Sequence, residues 1–207
     1  FMAYNMQGGY PYFSYTLNSL LFLFIVTVPI LTMKSMAEER KAKTDQLYLT
    51  APISVTKVVL GKYLAMLTVY GIPVLISCLC PLIIKANGTA HLGADYAAIF
   101  AFFLLGGVYI AVGMFISSLT ESQIIACVST FAVLLVMYLW GALTSFLPSW
   151  LTDNALVKLL PATSFTQVFQ NFSHYYVFDV AGLLYYVSVA GLFVYFTVQS
   201  VQKRRWS

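Results

Sequence analysis

The sequence predicts an all-α, polytopic bundle of membrane-spanning helices, and three observations predict it. The 207 residues are 60% hydrophobic and 9% charged, with a mean hydropathy of +0.84, whereas an ordinary soluble domain carries about 25% charged residues. A chain folded in water could not cover that much apolar surface, so its solvent is a bilayer. Second, apolar runs recur at close to the ~20 residues that a spanning helix needs. They are long Leu/Val/Phe/Ala stretches and not ten-residue alternating strands, and lipid leaves helices as the way to pair every backbone group within such a run. Third, nearly all Lys and Arg residues fall on one side of the resulting topology.

Five spans are expected, at about 15–33, 58–84, 96–119, 124–147 and 177–198. The first carries Asn18 and a helix-perturbing Pro29. Lys34, Arg40, Lys41, Lys43, Lys57 and Lys62 lie between the first two spans or at the mouth of the second, and Lys203, Arg204 and Arg205 follow the last. Lys85 and Lys158 sit in the two loops on the other side. The positive-inside rule makes the basic loop 34–57 and the C-terminal tail cytoplasmic. Residues 1–14 then begin outside, with no basic n-region and cleavage site to insert them. One further span upstream of Phe1 would resolve this, giving six with both ends in the cytoplasm.

The linkers differ in kind. Thr120–Gln123 reads as a tight cytoplasmic turn, and 85–95, rich in Gly and Asn, as a short external loop. Residues 148–176 are too long for a turn and are interrupted by Pro161. They read as two short helices that lie at the outer face or dip in and return. The aromatic run Tyr175, Tyr176, Phe178, Tyr185 and Tyr186 fits an interfacial belt continuing into packing.

The densest charge lies in MAEERKAKTDQLYLTAP, residues 36–52. Ser35 and Glu38 have the spacing of a capping box, Glu38 and Glu39 favour a helix N-terminus, and Glu39 and Lys43 are spaced for an i,i+4 pair. A helix over 36–49 follows, stopped by Thr50-Ala51-Pro52, after which Ser54 can cap the next helix with Ile53 and Val58 as a hydrophobic staple. Its first half is polar all round, which does not suit a helix lying flat in lipid. Either it is a solvated loop carrying positive-inside charge, or it is a docking helix for a cytoplasmic partner.

Other candidates carry less. Nothing reads G-x-x-x-x-G-K-[ST], so no P-loop for ATP is present. His91 and His174 are lone, without a second ligand at metal spacing. Cys78, Cys80 and Cys127 sit in apolar runs, and the first two point to different helix faces, so packing explains them better than a disulfide or a metal clamp. Gly106, Gly107, Ala111, Gly113 and Ser117 form small-residue spacings that allow close helix approach. Asn18 is expected to hydrogen-bond between helices. Lys62, about one turn into its span, is expected to snorkel to the interface, with a salt bridge as the alternative. Asn87-Gly88-Thr89 and Asn171-Phe172-Ser173 are formal glycosylation sequons.

MKSMAEERKAKTDQLYLTAPISVTKVVLGKYLA resembles the segment between the second and third spans of type-2 ABC transporter (ABC-2) permeases, nearest to the branch that includes gliding-motility-type permeases. Pro29, Leu31, Thr32, Met33, Ala37, Glu38, Glu39, Arg40, Thr44, Leu47, Pro52, Ile53, Ser54, Gly61, Lys62 and Tyr63 match that pattern. Lys43 stands where the family usually has Gly, which favours continued helix. GMFISSLTESQIIA (113–126) and the terminal FTVQSVQKRRWS agree as well, so the resemblance spans nearly the whole chain. It implies a permease subunit, in a bacterial plasma membrane, that pairs with a second permease subunit and is driven by separate cytoplasmic ATPase subunits. It further implies a coupling helix over Ala37–Leu49 and a second contact at Thr120–Gln123. The coupling residues would be Glu38, Glu39, Arg40, Lys41, Thr44, Leu47 and Glu121. ATP and Mg would sit on the partner ATPase, with no cofactor, metal or nucleic acid bound by this chain; in a bacterium the sequons carry no meaning.

The expected function is therefore a permease subunit, an exporter, without enzymatic chemistry of its own. The rival is a non-transporting membrane anchor, or a signalling or mechanical subunit, that recruits a cytoplasmic ATPase complex through the same helix. A membrane-embedded hydrolase or acyltransferase would need clustered His, Asp or Ser at membrane depth, and the sequence has no such cluster.

Overall fold

The structure, a computed structural model, describes residues 5, 12–45, 54–87, 91–145, 165–173 and 180–205. These fold as an all-α bundle, with no strand among the described residues. In chain order the helices are α1 (Ser14–Thr32), α2 (Ala37–Lys41), α3 (Val55–Ser77), α4 (Cys80–Asn87), α5 (Leu92–Leu119), α6 (Gln123–Ser145), α7 (Phe165–Ser173) and α8 (Val180–Arg205). Among the described residues, five segments are long and apolar enough to cross a membrane: α1 with its continuation into α2, α3 with α4, α5, α6 and α8. The chain is a multi-pass membrane protein.

The second span differs from one continuous helix over 58–84. It breaks at Cys78–Leu79 between α3 and α4, because Pro81 has no N–H to give to the carbonyl one turn earlier and its ring crowds that turn. Ser54 does occupy the N-cap position of α3, in extended conformation, but its hydroxyl makes no capping bond. Ile53, its expected staple partner, lies outside the described residues.

Everything is organised around α5. In its most apolar stretch 72% of residues are buried, against 39% for α1 and 17% for α6, and α1, α3, α6, α7 and α8 all pack on it. Small residues make this possible. A Cβ on Gly106 would fall on the ring of Tyr70, and one on Gly113 would fall on the side chain of Thr32, so α3 and α1 approach α5 closely at these points. Tyr70 donates to Phe102 O at 2.9 Å and Tyr63 to Gly107 O at 3.1 Å, pinning α3 to the backbone of α5. Gly106, Gly107 and Gly113 are thus packing residues. Rings continue the contact across four helices, with Phe24 edge-on to both Tyr70 and Phe102, and Phe102 against Phe169.

That last contact places α7. Its apolar side, Val168 and Phe169, is buried, and Phe169 meets Phe102 at a centroid distance of 5.8 Å. Phe102 lies ten residues into α5, about 15 Å along its axis at 1.5 Å per residue, so α7 dips into the bundle. Tyr186 on α8 is fully buried and donates to Phe165 O at 2.6 Å, which fits the expected continuation of the aromatic run into packing. Residues 146–164 and 174–179, with Pro161, His174, Tyr175, Tyr176 and Phe178, lie outside the described residues.

The two ends of α5 are both polar. At its start, Asp95 is fully buried and accepts from Phe13 N–H at 2.9 Å, just where α1 begins. Its other oxygen, Oδ2, is buried with no partner among the described residues. Beside it, Asn5 accepts from Thr16 Oγ1 at 2.6 Å and donates to Tyr12 O at 3.0 Å, and Tyr12 stacks on His91 at 5.2 Å. Asn18 donates to Ser14 O of its own helix at 3.2 Å. The other end of α5, where the basic residues gather, is the candidate site.

Candidate functional site: the elbow between α1 and α2

Past Thr32 the chain turns through residues 33–36 and re-enters helix at Ala37. The turn leaves carbonyls at the end of α1 and N–H groups at the start of α2 without helical partners. The capping box expected from Ser35 and Glu38 does not supply them. The N-cap residue is Met36, one position later than that box requires, and no side chain of its own caps it. The Ser35 hydroxyl is buried with no partner among the described residues.

The cap comes instead from α5. Ser117 Oγ accepts from Met36 N–H at 3.3 Å and from Ala37 N–H at 3.1 Å, and donates to Met33 O at 3.2 Å. A serine hydroxyl has one proton to give and two lone pairs to receive, so this one group is fully used. It lies one turn beyond Gly113, the residue that lets Thr32 approach, and joins the last turn of α1 to the first of α2.

Two ion pairs reinforce the elbow. Lys62, on α3, pairs with Glu39, donates to Ser35 O at 2.8 Å and lies 3.7 Å from Met36 Sδ. The salt bridge that stood as the alternative for Lys62 is thus formed, and three acceptors surround an ammonium whose side chain is 22% exposed. Arg40 lies 3.0 Å from Glu121 Oε1 through Nε and donates from Nη1 to Leu119 O at 2.8 Å. Arg204 of α8 donates to Ser118 O. The last carbonyls of α5, which have no helical donor, are thus taken by arginines from two other helices.

The expected helix over 36–49 is interrupted. α2 ends at Lys41, and Lys43 has φ +56°, in the left-handed region. Lys43 N–H bonds to Arg40 O at 3.2 Å and Thr44 N–H to Glu39 O at 3.0 Å, the two backbone bonds of a Schellman termination. The expectation that Lys43 continues the helix is corrected: this backbone has the conformation that glycine adopts most readily, whatever residue occupies it. The Glu39–Lys43 pair expected from helical spacing is corrected for the same reason, since the two residues no longer share one helix face, and Glu39 pairs with Lys62.

The seven expected coupling residues therefore divide. Glu38, Lys41 and Thr44 are exposed on α2 and its terminating turn. Glu39 and Arg40 are half-buried and hold α2 to the rest of the chain. Glu121, in the turn between α5 and α6, is brought to α2 by Arg40, so the two stretches expected to act together touch directly. Leu47 lies outside the described residues. Lys62, Ser117 and Arg204 belong to the elbow and were not singled out for it. For Ser117 a signal existed: a serine one turn past Gly113 on the same face meets whatever follows Thr32.

The three cysteines are free, and the described residues hold no group of three or more His, Cys, Asp or Glu side chains suited to a metal. Apolar grooves of about 450 and 490 Å³ flank α3, one facing α1 through Phe24 and Pro73, the other facing α5 through Gly71 and Phe103. What the elbow can do is mechanical: α2 offers an exposed charged edge while its inner edge is fastened to α3, α5 and the α5–α6 turn.

Compared with known protein families, residues 2–199 match the model of the ABC-2 family transporter proteins. The match is to that family as a whole and does not single out its gliding-motility branch. No curated protein and no solved structure matches the chain.

Proposed function

This chain belongs to the ABC-2 family of transporter proteins, a membrane permease component of an ABC transporter, and we propose that α2 is the seat for its ATPase subunit. In this reading the basic end of the bundle is cytoplasmic, as the distribution of Lys and Arg favours. The ATPase carries the ATP and Mg, and the transporter works as an exporter with a second permease subunit beside this one in a bacterial plasma membrane. The observation that carries the reading is the division of α2 into two edges. Glu38, Lys41 and Thr44 face outward, while Glu39 and Arg40 tie the same short helix to α3 and to the α5–α6 turn. A surface helix held this way keeps its outer edge turned towards a partner.

The test uses charge reversal on the outward edge, which leaves the inner contacts alone. Glu38→Lys with Lys41→Glu is expected to weaken retention of the ATPase subunit by the purified permease about tenfold, because reversed charges meet like charges across the interface. Folding is checked by an unchanged thermal melt in lipid nanodiscs. Retention at the unaltered level in the reversed variant would exclude α2 as the seat.

A further inference from the structure

Three groups fasten α2, and they are not equivalent. Lys62 and Arg40 reach their partners through long side chains with several rotatable bonds, which can follow a moving helix and keep their contacts. The Ser117 hydroxyl sits on a single Cβ, is fully buried, and makes all its bonds to backbone: Met33 O on one side of the elbow, Met36 and Ala37 N–H on the other. Neither ion pair touches the backbone on both sides. Ser117 also stands on α5, the most buried helix, two residues from the carbonyl that Arg40 engages and next to the one that Arg204 engages.

We propose that Ser117 is the positioning residue that fixes α2 rigidly to the central helix, so that movement of α2 enters the bundle through the end of α5. The proposal rests on the reading of α2 as the ATPase seat and adds the route by which the push travels. The two spans that flank α2 in sequence, α1 and α3, are not that route by themselves. The residues joining α2 to α3 include 42–44, which terminate α2 in a turn, and α1 reaches α2 only through the elbow that Ser117 holds. A displaced α2 with the hydroxyl absent would pivot about Met36 on its flexible ion pairs and leave α5 where it was.

The test has two arms. In the first, the full chain in nanodiscs is followed by amide hydrogen exchange, comparing wild type with Ser117→Ala and Ser117→Thr. Loss of a helix cap is expected to raise exchange across residues 33–41 about fivefold in Ser117→Ala, with α8 and the first half of α5 unchanged. Ser117→Thr keeps the hydroxyl and is expected to retain wild-type protection there. Unchanged exchange over 33–41 in the alanine variant would overturn the proposal, as would a threonine variant as loose as alanine. A general loss of fold would raise exchange in α8 as well, and the threonine comparison then still decides.

In the second arm, the complex with the ATPase subunit is assayed in proteoliposomes. Ser117→Ala is expected to retain the ATPase, since the outward edge is intact, while the rate of ATP hydrolysis moves from that of the wild-type complex towards that of the isolated ATPase. A coupled rate equal to wild type would overturn the proposal. A wild-type chain that fails to retain any ATPase would instead sink the seat itself, and the exchange arm would still report on the Ser117 elbow.

Discussion

The two ends of α5 solve the same problem with different groups. At each end a side chain of α5 reaches a helix that begins beside it: Asp95 receives Phe13 N–H at the start of α1, and Ser117 receives Met36 and Ala37 N–H at the start of α2. At the Ser117 end the contacts are shared among several side chains, while the Ser35 and Thr120 hydroxyls are buried with no partner among the described residues. The Ser117 hydroxyl is fully used, two arginines take the last carbonyls of α5, and Lys62 serves Glu39 and Ser35 O. At the Asp95 end there is a surplus acceptor, since Oδ2 is buried with no partner among the described residues. A partnerless hydroxyl can rotate its proton towards whatever acceptor comes near, whereas a carboxylate oxygen can only receive and is held where the bond of its twin puts it. The basic end spreads its hold over Ser117, Lys62 and two arginines, and the far end fastens the start of α1 to α5 through one carboxylate.

The largest expected effect breaks the basic end directly. Gly113→Val places a branched side chain where Thr32, fully buried, already lies. Neither α1 nor α5 can step back without undoing the Ser117 contacts one turn away, so a loss of about 3 kcal/mol is expected in equilibrium unfolding. Gly61→Ala is the matched control. A Cβ there meets nothing within 4 Å, and the change should raise stability by about 0.5–1 kcal/mol through helix propensity alone. Equal effects at the two glycines would mean that close approach at Thr32 does not shape the elbow.

Next in size is a change at the far end that separates its used oxygen from its surplus one. Asp95→Ala removes the acceptor for Phe13 N–H in a buried place, with an expected loss of about 2 kcal/mol. Asp95→Asn keeps one oxygen for that N–H and converts the surplus acceptor to an amide donor, so it should cost no more than about 0.5 kcal/mol. Both are read as melting shifts in nanodiscs. If the asparagine variant falls as far as alanine, Oδ2 has an acceptor role after all and the far end does not rest on the Phe13 bond alone.

A smaller effect tests how much the basic end owes to its ion pair. Lys62→Met keeps the stem and removes the ammonium from Glu39 and Ser35 O. The Glu39 side chain is 35% exposed and can rehydrate, so the expected loss is about 1 kcal/mol. A double-mutant cycle with Glu39→Gln should give a coupling of the same order or less. Coupling near zero would assign the role of Lys62 to its bond with Ser35 O alone.

Much of this was legible in the chain. The fold class followed from composition and run length, and the small residues of α5 were recognisable as packing positions because helix periodicity puts Gly106 and Gly113 where neighbours must approach. What escaped was long-range and polar. Ser35–Glu38 has a capping-box pattern, but a hydroxyl from 80 residues downstream (Ser117 to Ala37) took that role, and local spacing cannot rank a distant competitor above a near one. Lys62 illustrates the same limit. Its depth in the span was readable, but whether it turned to water or to Glu39 depended on where the elbow of another helix came to rest. Pro81 was in plain view, yet only the register of the helix shows that its missing N–H splits the second span.

Lys43 is the sharpest case and leads to the smallest prediction. Helix propensity favours Lys over Gly at this position, and that reasoning extended the helix. The backbone terminates there anyway, with Lys43 at φ +56°, a region that costs a residue with a Cβ about 1–2 kcal/mol. Lys43→Gly should recover part of that cost, with a net gain of about 0.5 kcal/mol after the greater entropy of glycine in the unfolded chain. Lys43→Ala should gain nothing, because alanine meets the same steric conflict. Chemical denaturation of the three chains in one lipid preparation measures the difference. A gain for alanine equal to that for glycine would show that the lysine charge, and not the backbone, is what opposes the turn. A gain for glycine alone would place the cost in the backbone geometry, with the Schellman turn kept because Ser117, Lys62 and Glu121 fix where α2 must stop.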